Sequence, residues 1–143
     1  MRTEDLSPQE YRALAEFRYH IRRFLQFSSD EARKHGIEPQ QHQVLLAIKG
    51  LPEGRKPTIG ELSERLQIQH HSAVELVNRL VENGIVEREQ AEDDRRVVLI
   101  RLTSHGQTIL RQLSLSHHAE LETAGPVLVR VLGATIRRPR SAA

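Results

Sequence analysis

The sequence contains no cysteine, which excludes disulfide bonds, thiolate metal sites and any cysteine-based redox switch. It has no tryptophan and only 3% aromatic residues, a composition unlike that of a β-sandwich or barrel. No apolar run is long enough to span a membrane, and the N-terminus has no apolar signal segment. We therefore expect a helical protein that stays in the cytoplasm and has no membrane partner.

The residues that are present indicate one charged, helical domain. The 143 residues are 28% charged, with a formal net charge of +2 and an isoelectric point of about 9.4. A chain of this length can bury one hydrophobic core, so we expect a single domain over residues 1–143. A nearly neutral protein can bind nucleic acid if its basic residues lie on one face, so the net charge does not identify a partner.

Residues 58–84 have the pattern of two short helices separated by a break at residues 67–69. Thr58 and Glu61 have the spacing of a capping box, in which the threonine hydroxyl accepts a backbone hydrogen bond and the glutamate reaches back. After the break, four apolar residues recur at the i, i+3, i+4, i+7 positions of an amphipathic helix: Ala73, Leu76, Val77 and Leu80. Gly84 is expected to end this second helix.

Two strand-like runs follow, at residues 85–89 and 97–102, and the charged cluster between them predicts the turn of a β-hairpin. Two helices followed by such a hairpin form a winged helix-turn-helix, with the hairpin as its wing. The predicted fold class is mainly α, or α+β. It is a winged helix-turn-helix domain with a two-stranded wing, flanked by N- and C-terminal dimerisation helices.

Helical patterns flank the winged part on both sides. The first helix begins at the capping box Ser7-Pro8-Gln9-Glu10 and runs to about Lys34, and a shorter one begins at Pro39. Two glycines and two prolines within residues 50–57 predict a loop.

After the wing, Thr103 is expected to cap a helix that runs to about Thr123. Gly125-Pro126 should break that helix before a last short helix that ends near Ile136. Residues 137–143 are expected to be a frayed polar tail.

The first helix is unusually long for the small winged part beside it. We therefore expect a portion of its apolar stripe to meet a second subunit. The winged part is then residues 37–106, and residues 7–36 and 107–138 form the dimerisation helices. A monomer in which all the helices close one core is the alternative.

The second helix of the motif has a polar face opposite its apolar stripe. Such a face can reach base edges in the major groove, where Val74 can touch a thymine methyl group, Asn78 can pair with adenine and Arg79 can contact a phosphate. The candidate DNA-binding residues of this helix are Gln69, His70, His71, Ser72, Val74, Glu75, Asn78 and Arg79. The solvated face of an ordinary core helix has the same pattern, and the hairpin that follows favours DNA binding.

The charged cluster of the hairpin supplies the other candidate DNA contacts: Asp94, Arg95 and Arg96. A regular strand over residues 97–102 carries Arg96 to the tip, where it can enter the minor groove. Asp94 can hold its guanidinium by a charge-assisted hydrogen bond, and Arg95 points towards a phosphate. A cluster that only keeps the turn solvated is the alternative.

Four runs resemble the MarR family of multiple antibiotic resistance regulators in order and spacing: residues 62–66, 77–88, 94–96 and 102–106. The most discriminating are Asp94-Arg95-Arg96 and Leu102-Thr103-Ser104-His105-Gly106. Two positions depart from the family pattern. Gln69 stands where a small capping residue or aspartate is usual, and Glu75 stands where a basic or small polar residue is common.

The resemblance implies a homodimeric, DNA-binding transcriptional regulator, a ligand-responsive repressor that binds an inverted repeat in double-stranded DNA. It also implies a small aromatic or anionic effector in a cleft between the dimer helices and the winged part. The first-helix residues that can line this cleft are Tyr19, His20, Phe24 and Phe27. Core packing of the phenylalanines is the alternative.

Other classes of function have weaker support. Among the eight histidines, His118 has a glutamate, Glu122, at the i, i+4 spacing of helical metal ligands. We predict no metal and no cofactor, with a zinc site that uses His42 or His118 as the alternative. The chain has no nucleophile elbow, glycine-rich phosphate loop or metal-ligand motif, so no enzymatic activity is expected. A winged helix used only for protein contacts is the alternative to DNA binding.

Overall fold

The structure, a computed structural model, describes residues 5–136. They form five helices and two strands: α1 (Pro8–Lys34), α2 (Pro39–Lys49), α3 (Ile59–Leu66), α4 (His70–Glu82), β1 (Val86–Gln90), β2 (Val98–Leu102) and α5 (Ser104–Ile136). This order confirms the mainly helical winged helix-turn-helix with its two-stranded wing. The predicted frayed tail and the last two residues of the range 107–138 lie outside the described residues.

The described residues divide into two compact units. We call residues 30–114 the winged unit, and residues 5–29 together with residues 115–136 the terminal-helix unit. Among residues 5–136, no helix is both long and apolar enough to cross a membrane.

The core of the winged unit is built from α2, α3, α4, the hairpin and the start of α5. Its most deeply buried large side chains include Leu45, Leu62, Leu80, Ile100 and Leu113. Burying a leucine or isoleucine completely contributes roughly 1.5–3 kcal/mol, so this cluster is a main source of stability for the unit. The predicted inward stripe of α4 is confirmed, with Ala73, Val77 and Leu80 buried and Leu76 partly buried against the cluster.

Helix α3 begins at Thr58, and only half of the predicted capping box is present. Thr58 Oγ1 accepts from the Glu61 amide at 3.1 Å, as expected. The Glu61 carboxylate does not accept a hydrogen bond from the Thr58 amide, because it pairs with Arg55 and Arg65 at 3.3 Å each. The Thr58 amide donates to the carbonyl of Lys56 at 2.8 Å instead. The full box is formed at the start of α1, where Ser7 and Glu10 bond each other at 2.8 and 3.1 Å.

Helix α4 ends at Glu82, and Gly84 lies in the turn that stops it, as predicted. Gly84 has φ 69°, a left-handed conformation that costs glycine little because it has no Cβ. The turn is closed by the amides of Gly84 and Ile85, which donate to the carbonyls of Val81 and Leu80 at 3.0 and 2.9 Å. The chain therefore passes from the end of α4 directly into the wing.

Strands β1 and β2 are antiparallel, with Val86 opposite Leu102 and Arg88 opposite Ile100. Each strand starts one residue later than predicted. Ile85 belongs to the turn after α4. The Val97 amide closes the hairpin turn by donating to the backbone carbonyl of Asp94 at 3.0 Å. At the edge of β2 that faces away from β1, the Ile100 amide donates to the carbonyl of Pro57 at 2.8 Å.

The end of the hairpin is joined to the start of α5 by Thr103. Its amide donates to the Ile85 carbonyl at 3.1 Å, and its hydroxyl accepts from the Gly106 amide at 3.1 Å, which confirms the predicted cap. A Cβ at Gly106 would overlap the Ile85 carbonyl oxygen. Glycine is therefore required for the close approach of α5 to the turn that follows α4.

The predicted break at Gly125-Pro126 is wrong, because α5 is continuous with Pro126 inside it. Proline removes one helical hydrogen bond and crowds the Cβ of the residue before it. Gly125 has no Cβ, which relieves the second of these costs. Beyond the proline, the Thr135 hydroxyl lies 2.8 Å from the Val131 carbonyl of its own helix and 3.2 Å from the Ala13 carbonyl on α1, and the second is a tertiary contact that favours the helical path.

The terminal-helix unit contains an aromatic cluster. His117 of α5 lies with its ring centroid 5.9 Å from Phe24 and 5.3 Å from Phe27, and its Nε2 is 2.8 Å from the Ser28 hydroxyl. Several large apolar side chains of this unit are exposed, namely Leu14, Leu25, Leu115, Leu121, Val129, Leu132 and Ile136.

Candidate nucleic-acid interface

The candidate residues of α4 share the exposed side of that helix. Gln69, His70, His71, Glu75, Asn78 and Arg79 are exposed, and Ser72 and Val74 are partly exposed. Gln69 is the N-cap residue, and its side chain makes no capping hydrogen bond. The first amides of α4 are thus not capped by Gln69, and unpaired amides at a helix N-terminus suit an anion such as a phosphate.

One residue of this surface was missed by the sequence analysis. Arg88 of β1 donates from its guanidinium to the Asn78 Oδ1 on α4. The strand pattern contains a signal for it, because Arg88 lies two residues after the buried Val86 and opposite the buried Ile100. Residues two apart on a strand share a face, so Arg88 leaves the sheet on the side that packs against the helices.

The wing tip presents Arg96 to solvent in a fixed orientation. The predicted hydrogen bond is present: Arg96 Nε and Nη2 donate to the two Asp94 carboxylate oxygens at 3.1 Å each. The Arg96 amide adds a third bond to Asp94 Oδ1 at 3.0 Å. The Arg96 side chain is nevertheless 90% exposed, so its position is set by Asp94 without removing it from solvent.

The Asp94–Arg96 pair also shifts the titration of both groups. The side-chain hydrogen bond from Arg96, followed by the backbone bond, lowers the pKa of Asp94 below its usual value. The same pair raises the pKa of Arg96. Both groups are therefore charged at neutral pH.

A second ion pair joins the loop before α3 to the wing. Lys56 Nζ donates to Asp93 Oδ2 at 3.0 Å, and this bond lowers the pKa of Asp93. The two residues are 37 positions apart in sequence, and no local pattern indicates their contact. Lys56 was accordingly not among the predicted site residues.

The ring contacts of the four predicted effector residues fall into two sets. Tyr19 and His20 lie side by side with ring centroids 5.1 Å apart, and Arg23 donates to the Tyr19 hydroxyl at 3.3 Å. Phe24 and Phe27 pack against each other and against His117, and both phenylalanines are partly exposed.

The described part of the chain contains no group of three or more histidine, aspartate or glutamate side chains that could hold a metal ion. Of the two histidines considered for zinc, His42 is buried in the winged unit and His118 is exposed on α5.

This arrangement defines a class of protein. Helix α4 follows α3 after a short turn, has an exposed polar face, and is joined through a left-handed glycine to a two-stranded hairpin with an arginine at its tip. The protein is a winged helix-turn-helix protein. Residues 35–97 match the model of the MarR family. Over these residues the chain is similar to the MarR family.

Curated relatives have regulatory names. The chain is 32% identical over 80 residues to the uncharacterized HTH-type transcriptional regulator YsmB of Bacillus subtilis. The match covers 56% of this chain and 53% of that protein. It is 28% identical over 88 residues to the HTH-type transcriptional regulator PapX of Escherichia coli, and the match covers 62% of this chain and 53% of that protein. The chain thus spans about half the length of these curated relatives. Both relatives are named as transcriptional regulators.

Solved structures have the same fold. A MarR family protein from Bacillus stearothermophilus is 28% identical with a TM-score of 0.66, and the match covers 78% of each chain. A mutant MarR of Escherichia coli complexed with operator DNA is 26% identical with a TM-score of 0.59, over 73% of this chain and 75% of that one.

Proposed function

We propose that this protein is a DNA-binding transcriptional regulator that acts in the cytoplasm as a homodimeric, ligand-responsive repressor on an inverted-repeat operator. The observation that carries the proposal is Arg96, a guanidinium that Asp94 holds in place while it stays 90% exposed at the wing tip. A cation fixed in this way is suited to a narrow minor groove, where the negative potential is concentrated.

The exposed face of α4 would supply the contacts in the major groove. Its N-terminal half carries His70, His71 and Ser72, which reach base edges when a recognition helix lies in the groove. The related structures of MarR of Escherichia coli with operator DNA and FabT of Streptococcus pneumoniae with DNA, 26% and 25% identical, support this mode of binding.

The terminal-helix unit would form the dimer. Its exposed apolar side chains include Leu25 at 55%, Leu115 at 59% and Val129 at 72% exposure. A second subunit can cover them, and a two-fold axis would then place two α4 helices on half-sites about 10 base pairs, or about 34 Å, apart.

A ligand would act by changing the distance between the two α4 helices. A small aromatic or anionic effector bound near Tyr19 and His20 would favour one arrangement of the dimer over the other. Repression follows if the effector-free dimer has the spacing that fits the operator.

The test is selection of duplexes from a random library, followed by gel shifts of the selected sequence across a salt series. We expect a selected sequence with two-fold symmetry and affinity that falls as salt rises, because phosphate contacts release counterions. If no duplex is retained in a salt-sensitive manner, the winged helix serves protein contacts and the proposal is wrong.

A further inference from the structure

We propose that Arg88 fixes the side-chain amide of Asn78 so that this part of the interface offers DNA only hydrogen-bond donors and selects guanine over adenine. The inference rests on the proposed DNA-binding function. It assigns one residue of the wing a role in base selection by the recognition helix.

The contact joins two elements of the winged unit. Arg88 lies on β1, and its guanidinium donates to the Oδ1 of Asn78 on α4. Both residues are exposed, so the pair lies at the surface that α4 presents to solvent. Since Arg88 leaves the sheet on the same face as the buried Val86, the hairpin register itself directs it towards the helices.

The chemistry of the pair fixes the orientation of the amide. An asparagine has one acceptor oxygen and one donor nitrogen of similar shape, and the partner decides which of them faces it. A guanidinium has donors and no acceptor. The amide oxygen of Asn78 must therefore face Arg88, which leaves the two Nδ2 hydrogens directed elsewhere.

This orientation determines which base the pair can recognise. Adenine offers an N7 acceptor and an N6 donor in the major groove, so pairing with it requires both the oxygen and the nitrogen of an asparagine. With Arg88 beside the oxygen, the N6 amino group would meet a cationic donor. Guanine offers two acceptors, N7 and O6, which match the Asn78 amino group and a remaining Arg88 N–H. The proposed orientation therefore disfavours the adenine pairing expected from the sequence.

The experiment measures base preference by fluorescence anisotropy on the duplex obtained by selection. Each base pair of the half-site is changed in turn to place guanine, adenine or 7-deazaguanine, which lacks the N7 acceptor. The position read by Asn78 is the base pair at which the Asn78→Ala variant binds all the substituted duplexes with equal affinity. There, wild type should bind guanine about tenfold more tightly than adenine and lose affinity with 7-deazaguanine.

Three variants separate orientation of the amide from a general loss of charge. Arg88→Ala frees the amide to rotate, so the preference for guanine at this position should vanish or turn to adenine. Arg88→Lys keeps a cationic donor and should restore part of the preference. Arg101→Ala removes another exposed arginine of the same hairpin, and it should leave the base preference unchanged. Circular dichroism melts identify any variant that has lost its fold.

The outcomes are distinct. If wild type binds its selected duplex and Arg88→Ala retains the same guanine preference, the role of Arg88 is overturned while DNA binding stands. A wild-type preference for adenine at the position read by Asn78 would overturn it as well. If wild type selects no duplex, the proposed function fails, and this inference fails with it.

Discussion

The carbonyl oxygen of Ile85 occupies the space that a side chain at Gly106 would need. The same carbonyl accepts the Thr103 amide at 3.1 Å, so it cannot move away without breaking the junction between the wing and α5. Because Gly106 has no Cβ, α5 can pack closely against the turn that follows α4 at this residue.

Replacing Gly106 with alanine should destabilise the protein by about 1–3 kcal/mol, because the added methyl group forces the backbone apart. Thermal or urea denaturation measures the loss. The matched control is Gly60→Ala in α3, where the nearest atom to a new Cβ is 3.9 Å away. The control should be neutral or stabilising by up to about 1 kcal/mol. Equal stability of the two variants would contradict the packing argument.

Arg96→Ala should weaken binding to the selected operator roughly fivefold to a hundredfold, because it removes the cation that Asp94 holds at the wing tip. Asp94→Ala should cost less, since it leaves the guanidinium present but free to move. Anisotropy titrations at one fixed salt concentration measure both effects. Arg101→Ala, an arginine on β2 rather than at the tip, is the control. Binding by Arg96→Ala equal to that of wild type would show that the wing does not touch DNA.

The titration of Asp94 should depend on Arg96. Because the pKa of Asp94 is depressed below 3.8, the ion pair is intact above that pH and is lost only as the pH falls through the lowered value. Carboxyl NMR titration should show the pKa of Asp94 rising towards 3.8 in Arg96→Ala. Arg95→Ala should leave it unchanged. An unaltered pKa in Arg96→Ala would mean that the pair does not form in solution.

The protein should be a dimer at micromolar concentration, with light scattering giving twice the 16.4 kDa mass of one chain. Leu25→Glu should dissociate it, because this side chain is 55% exposed in the single chain and suited to burial by a partner. Leu46→Glu on α2, also exposed at 45%, is the control and should remain dimeric. A monomeric wild type would remove the basis for paired half-sites.

The features predicted correctly from the sequence are those with local causes. Thr58 and Thr103 each accept a backbone amide three residues on, and Gly84 adopts the left-handed conformation that ends α4. Asp94 and Arg96 are two residues apart, so their hydrogen bond could also be predicted.

The features that were missed depend on which partners a side chain contacts once the chain has folded. Glu61 has the spacing to complete a cap but finds Arg55 and Arg65 instead. The roles of Arg88 and Lys56 require the hairpin register and the position of a loop relative to the wing. The proline in α5 is tolerated because a glycine precedes it and because Thr135 contacts Ala13 on another helix.

The hydrogen bond to the carbonyl of Pro57 affects the tendency of this protein to associate through its sheet edges. A two-stranded sheet has two open edges, and an unpaired edge can join that of another molecule and start aggregation. On β2, the Ile100 amide is already bonded to Pro57 at 2.8 Å, and proline has no amide of its own to offer. The outer edge of β2 is thus closed at its centre by a residue that cannot extend the sheet, which disfavours wing-to-wing association between copies of the protein.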